Sequence, residues 1–161
     1  MSKAIRVGIA DLNVCRIPDT ITTLGLGSCI GLVLYDVSTS ICGMVHVMLP
    51  DSTIMKTLDN PAKFADTGID ELIKKLAQMG IPQRSLMAKM AGGAKMFSIS
   101  TGSDLLKIGE RNIEAVKKIL EKKKIPLMAS DCGGTYGRTI VFDPATFELH
   151  IRAIGMPEKI I

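Results

Sequence analysis

The run Thr22-Thr23-Leu24-Gly25-Leu26-Gly27-Ser28-Cys29 leads into an apolar stretch from Ile30 to Tyr35, a polar turn at Asp36 to Ser40 and a second apolar stretch from Ile41 to Leu49. Two apolar runs of strand length around a short polar turn specify a β-hairpin. The hairpin carries Cys29 just ahead of its first strand and His46 within its second. With an even-numbered loop, for example Asp36 to Thr39 with Tyr35 facing Ser40, Cys29 stands directly opposite His46. Opposed Cβ atoms in an antiparallel pair are about 4.5–5.5 Å apart, close enough for thiol and imidazole to hydrogen-bond. An odd-numbered loop sends the two side chains to opposite faces. Spacing alone leaves both registers open.

The glycines at 25, 27 and 31 narrowly miss the dinucleotide fingerprint and run into an apolar strand where that motif needs a helix. No glycine loop ends in Gly-Lys-Ser/Thr, so a P-loop is excluded as well. What the run does offer is a thiol in a turn with backbone freedom.

Working outward, Ile5, Val7 and Ile9 propose a first strand, followed by an irregular segment through Pro18-Asp19 and a short strand at Thr20 to Leu24. Asn60-Pro61 reads as an N-cap with proline at the first helical position. The stripe Phe64, Ile69, Leu72, Ile73, Leu76 and Met79 then predicts a helix that ends at Gly80. Ser85 to Ala91 is a further strand, closing on Gly92-Gly93, and Ser98 to Asp104 reads as a loop. A second helix is predicted over Gly109 to Lys123, burying Ile113, Val116, Ile119 and Leu120. Ile125 to Asp131 forms a strand ending at Gly133-Gly134. Arg138 to Asp143 and Phe147 to Ile154, joined at Pro144-Ala145-Thr146, form a terminal hairpin. Hairpins separated by two helices, without strict β-α-β alternation, point to an α+β layered sandwich with the helices on one side. A chain of 161 residues is read as one domain, 1–161.

Composition removes several function classes. The net charge of +4 is concentrated in Lys117, Lys118, Lys122, Lys123 and Lys124 near one helix end, with no interleaved aromatics to stack on bases. That is a solvated helix face, and no nucleic-acid partner is expected. The N-terminus lacks the apolar core of a signal peptide and no eighteen-residue apolar run occurs, so the expectation is a cytoplasmic protein without direct membrane insertion. Cys15, Cys29, Cys42 and Cys132 form no C-x-x-C pair, so neither structural zinc nor a disulfide framework is expected. Three of them read as small hydrophobes, and Cys29 is set apart by its glycine neighbourhood.

A thiolate attacks a carbonyl carbon far better than a thiol, and a neighbouring imidazole lowers the cysteine pKa by stabilising an ion pair. One histidine can serve as base for attack and as acid for the leaving group. His46 is the candidate, because His150, between Leu149 and Ile151, reads as an exposed or satisfied strand histidine. Backbone N–H groups from Gly27 to Cys29 are available to an oxyanion. The group that orients His46 is either a carbonyl or a hydroxyl from Thr20, Thr22 or Thr23.

The segments Thr23 to Cys29 and His46-Val47-Met48-Leu49-Pro50-Asp51-Ser52 together resemble the paired signature of CheD, the chemoreceptor glutamine deamidase family of bacterial and archaeal chemotaxis. Lys63-Phe64-Ala65-Asp66, Ala91-Gly92-Gly93-Ala94 with Met96-Phe97, Gly109-Glu110-Arg111-Asn112, and Asp131-Cys132-Gly133-Gly134 with Arg138 follow in the family's order. The resemblance implies a cysteine hydrolase that converts receptor glutamines to glutamate, and in some members hydrolyses glutamyl methyl esters, without cofactor or metal. It implies Cys29 as nucleophile, His46 as base and acid, and Thr23 as the orienting residue. Gly27 and Ser28 are then oxyanion candidates, with Gly92 and Gly93 shaping the rim. The expected partners are the cytoplasmic helical region of chemoreceptors and a CheC-type response-regulator phosphatase. A mainly non-catalytic role as that phosphatase's regulator is the alternative. The implied fold is a layered sandwich similar to the catalytic domain of the cytotoxic necrotizing factor toxins. Cys132 within the Asp-x-Gly-Gly motif and a long Ser98 to Leu106 loop depart from the family pattern.

Overall fold

The computed structural model describes residues 1–54, 60–96 and 107–161. The Ser98 to Leu106 loop lies outside them. Among the described residues the fold is α+β, with two mixed five-stranded sheets and two helices. The strands are β1 (Ala4–Val7), β2 (Leu12–Arg16), β3 (Thr20–Leu26), β4 (Ile30–Asp36), β5 (Ile41–Val47), β6 (Met87–Gly92), β7 (Leu127–Cys132), β8 (Arg138–Asp143), β9 (Glu148–Arg152) and β10 (Lys159–Ile160). The helices are α1 (Ala65–Gln78) and α2 (Ile108–Lys122). One sheet has the order β1-β3-β8-β9-β10 and the other β2-β5-β4-β6-β7.

The second sheet is covered on both faces. Val33, Tyr35 and Met44 pack with Ile21, Ile140 and Phe142 of the first sheet, while Leu32, Leu34 and Val45 pack against Ile69, Leu72, Val116 and Leu120 of the helices. All seven residues of β4 are buried. Double coverage explains why its sequence from Ile30 to Leu34 is a continuous apolar run without polar alternation. The layers are therefore sheet, sheet and helices, with both helices on one side, as the hairpin pattern suggested.

Several expectations need correction. The first strand stops at Val7, and Ile9 lies exposed in the turn where Ala10 takes a φ of 57°. The segment read as irregular contains β2, whose residues are mostly half-buried and so lack clear alternation. Asn60 accepts from the Ala62 N–H but caps a short 3-10 turn, Pro61–Lys63, and not the long helix. Phe64 is extended and bridges Leu49, so α1 begins one residue later. Tertiary pairing there overrides the local helix signal. At the far end Gly80, with a φ of 89°, follows α1 as expected.

Candidate active site

The hairpin register decides what faces what. Ile30 pairs with Val47, Gly31 with His46 and Asp36 with Ile41, so the loop is Val37 to Ser40. The loop is even-numbered, but the pairing lies two residues from the example given above, and the residue opposite His46 is Gly31 and not Cys29. The cause is Asp36. Its Oδ2 accepts from Ser38 Oγ (2.9 Å), Thr39 N–H (3.2 Å) and Thr39 Oγ1 (2.6 Å), so the residue that looked like part of the turn is the last paired residue, folding the turn over itself. A two-residue slip preserves the face. Cys29, one residue ahead of the ladder, thus lies toward the same side as His46 and packs against the core between the sheets.

Gly31 makes that arrangement possible. A Cβ there would lie 2.6 Å from Ile140 Cδ1 and 3.4 Å from Thr23 Cγ2, so the bare position lets the first sheet close down on His46. Thr23 comes from β3 of that sheet and is fully buried, as is His46. Their Oγ1 and Nδ1 atoms are 2.7 Å apart, and the same hydroxyl donates to the Val7 carbonyl at 2.7 Å. A threonine hydroxyl has one proton, and Val7 takes it. The contact with the ring therefore requires Nδ1–H to donate to Oγ1, which fixes the tautomer and leaves Nε2 with a bare lone pair. Nε2 is buried and has no hydrogen-bond partner among the described residues. Of the three neighbouring threonines, Thr22 turns away, donating to the Ile140 carbonyl at 2.8 Å, and Thr23 is the one against the imidazole.

Burial pushes the His46 pKa down from 6.5 to about 4 and the Cys29 thiol above its ordinary value. Both shifts favour the uncharged forms. The resting pair is therefore neutral thiol and neutral imidazole, not the preformed ion pair that chemistry alone suggested. Cys29 carries a half-buried free thiol at the end of the sandwich, and Nε2 of the imidazole on the same face makes no hydrogen bond to it.

The loop carrying Cys29 is held from behind. The Gly27 carbonyl accepts from the Ala94 N–H at 2.8 Å and the Cys29 carbonyl from the Gly93 N–H at 2.9 Å. Gly92 has a φ of 117°, and a Cβ on it would lie 2.2 Å from the Cys29 carbonyl oxygen. Gly92 and Gly93 are buried beneath the loop that carries Cys29 and do not form an exposed rim. Gly27 and Ser28 are half-exposed on its outer side. Beside them an open groove is lined by Gly25, Met96, Tyr136, Arg152 and Ile154.

One residue at this end was quoted above within a motif but given no role. Asn112 of α2 is fully buried, and its Nδ2 donates to the carbonyls of Ser28 and Met48, both at 2.9 Å. The signal was available. Gly109, Asn112, Val116 and Leu120 form the buried stripe of α2, and an asparagine on such a stripe needs polar partners. The other cysteines are core residues: Cys15 and Cys42 face each other across β2 and β5, and Cys132 packs under α2 with its pKa raised to about 11 by burial. Lys117, Lys118, Lys122 and Lys124 are exposed, and Lys123 pairs with Asp70, so the lysine cluster is a solvated face. Among the described residues no group of three or more potential metal ligands occurs and no helix is long and apolar enough to cross a membrane.

A buried histidine held by a hydroxyl, toward the same side as a loop-borne thiol, brings together residue types that acyl-transfer chemistry uses. The chain belongs to the CheD family: the model for CheD chemotactic sensory transduction matches residues 48–153. That span begins just after His46, but curated relatives align over the whole chain. A probable chemoreceptor glutamine deamidase CheD of Lachnoclostridium phytofermentans is 57% identical, covering 99% of both chains. The chemoreceptor glutamine deamidase CheD of Halalkalibacterium halodurans is 52% identical over 99% of each, and that of Bacillus subtilis 51% identical over 98% of this chain and 95% of its own. Among solved structures, Neisseria meningitidis protein NMB0706 aligns with a TM-score of 0.46 at 10% identity, covering 81% of this chain and 62% of its own.

Proposed function

We propose that this chain is a protein-glutamine glutaminase acting on chemoreceptors in chemotaxis, with Cys29 as nucleophile, His46 as base and acid, and Thr23 as the residue that orients His46. The observation carrying the reading is the bare Nε2 of His46, fixed by Thr23 and Val7 on the face that Cys29 shares. The family's full-length relatives supply the substrate class.

The chemistry follows from the tautomer. As Cys29 Sγ attacks the carboxamide carbon, its proton passes to Nε2, and the carbonyl oxygen becomes an oxyanion opposite the N–H groups of Ser28 and Cys29. The imidazolium then gives the proton to the departing nitrogen, ammonia leaves, and a glutamyl thioester remains on Cys29. Water adds to the thioester with Nε2 taking its proton, the thiol is re-formed, and the product is glutamate. Every step uses one proton shuttled through one nitrogen, and no cofactor enters. Thr23 matters because a flipped or rotated ring would present the wrong nitrogen.

The same acyl chemistry accommodates a glutamyl methyl ester, with methanol leaving instead of ammonia. We read residues 1–161 as one deamidase domain of the cytoplasm, its layered sandwich similar to the catalytic domain of the cytotoxic necrotizing factor toxins. A CheC-type phosphatase is the regulatory partner. The test is mass spectrometry of receptor peptides after incubation with purified protein: wild type converts glutamine to glutamate, and Cys29→Ala does not. Undiminished conversion by Cys29→Ala would overturn the assignment of the nucleophile, and a wild-type protein that converts no glutamine yet binds a CheC-type phosphatase would favour the purely regulatory reading.

A further inference from the structure

Cys29 and His46 lie at the end of a ladder. The last register pair of β4 and β5 is Ile30 with Val47, so no strand hydrogen bond of that pair reaches Cys29 or Met48. Asn112 stands at this gap. One amide nitrogen supplies both of its protons, one to the Ser28 carbonyl immediately before the nucleophile and one to the Met48 carbonyl two residues after His46. The same side chain leaves Oδ1 buried without a partner among the described residues. An unpaired buried acceptor opposes folding, so stability alone does not account for an amide here.

Close backbone packing brings the amide to that point. A Cβ on Gly109 would lie 2.6 Å from the carbonyl oxygens of Gly93 and Ala94, so the first turn of α2 sits directly on the segment that also supports the nucleophile loop. Three consecutive carbonyls of that loop are then held from the inner side: Gly27 by the Ala94 N–H, Ser28 by Asn112 and Cys29 by the Gly93 N–H. In a trans peptide the N–H points opposite to its carbonyl. Holding the Ser28 carbonyl inward therefore aims the Cys29 N–H outward, to the side from which a substrate carbonyl approaches.

We infer that Asn112 is a positioning residue for the reaction: it clamps the nucleophile loop to the end of the histidine strand and aims the Cys29 N–H as an oxyanion donor. This rests on the assignment of Cys29 as nucleophile. Asn112 touches neither substrate nor proton, so its loss acts on kcat while KM, set by the receptor surface, stays put. Removing one well-placed oxyanion donor costs about 10²–10³ in rate, and misaiming one costs a share of that, about tenfold or more.

The test compares Asn112→Ala with Val116→Ala, a residue of the same buried helix stripe that makes no bond to the loop. Cys29→Ala is measured alongside on the same receptor. The expected result is a fall of about tenfold or more in kcat for Asn112→Ala at unchanged KM, a shifted pH profile of Cys29 alkylation, and near-wild-type kcat for Val116→Ala at a comparable loss of Tm. Equal kcat losses in the two helix variants, or a folded Asn112→Ala within twofold of wild type, overturns the inference. Asn112→Ser, which keeps one donor, is judged by the same criteria if Asn112→Ala does not fold. Full activity in Cys29→Ala would instead sink the underlying assignment, so the two failures are distinct.

Discussion

The two histidines sit in nearly identical sequence, Val45-His46-Val47 and Leu149-His150-Ile151, each in an antiparallel strand. Their surroundings are opposite. His46 faces the space between the sheets, is fully buried, and is hydrogen-bonded to one hydroxyl. His150 is on the outer side of the first sheet, 29% exposed at its side chain, with Glu148 at 3.4 Å and Glu158 at 3.5 Å. The difference arises from topology. The strand carrying His46 is packed between the first sheet and the helices, whereas the outer side of the first sheet at His150 is uncovered, so the same alternation buries one imidazole fully and leaves the other partly open to solvent.

The largest expected effect separates the two on activity. His46→Ala should lower glutamine conversion by about 10²–10⁴, the usual contribution of a general acid–base, while His150→Ala stays within twofold. A comparable loss in both variants would erase the distinction. Receptor deamidation rates at saturating substrate measure it.

The next contrast is in pH dependence. His46 refuses a proton down to about pH 4 in the folded protein, whereas an unfolded histidine accepts one near 6.5. Its contribution to stability is thus whole above pH 6.5 and is lost as pH falls toward 4, by about 3 kcal/mol. Carboxylates held below their ordinary range, such as Asp36 and Asp131, lose their contributions at the lower end of this window and below it. Urea titrations of wild type against His46→Ala isolate the histidine's part, and parallel stability curves for the two proteins would contradict the buried neutral ring.

Thr23→Val tests what holds the ring. Nearly isosteric, it strips the acceptor from Nδ1–H and the donor from the Val7 carbonyl, at a cost of about 1–3 kcal/mol in stability for groups left unpaired. A fall of about tenfold in kcat, equivalent to about 1.4 kcal/mol of misorientation, should accompany it. Unchanged kcat would mean that packing alone orients His46. The smallest effect belongs to the exposed histidine: its partly exposed carboxylate contacts predict a stability change below about 1 kcal/mol in His150→Ala by thermal unfolding.

How much of this the sequence disclosed depends on the range of the interaction involved. Strand period is local, so the hairpin was legible, but loop parity was not, and spacing left open whether Cys29 and His46 share a face. The register was not, because it turned on whether Asp36 belongs to the turn or to the strand, and its side-chain bonds to Ser38 and Thr39 decide that. Spacing alone narrowed the orienting hydroxyl only to one of three threonines, and Thr23 was named by the family resemblance; the physical reason is the placement of the first sheet over Gly31. Asn112 was the least visible, since its partners lie 84 and 64 residues away. Gly92 and Gly93 were legible as a turn but not as the floor beneath the loop of Cys29, a role set by a backbone approach so close that a Cβ on Gly92 would lie 2.2 Å from the Cys29 carbonyl oxygen.

The central claim is that Cys29 forms the bond to the glutamine carbon and His46 moves its proton. Acid-quenched reactions, digested and analysed by mass spectrometry, test it most directly. The account predicts a receptor glutamyl group attached as a thioester to the peptide containing Cys29 in wild type, with neither adduct nor conversion in Cys29→Ala. Undiminished glutamine conversion by Cys29→Ala would contradict it.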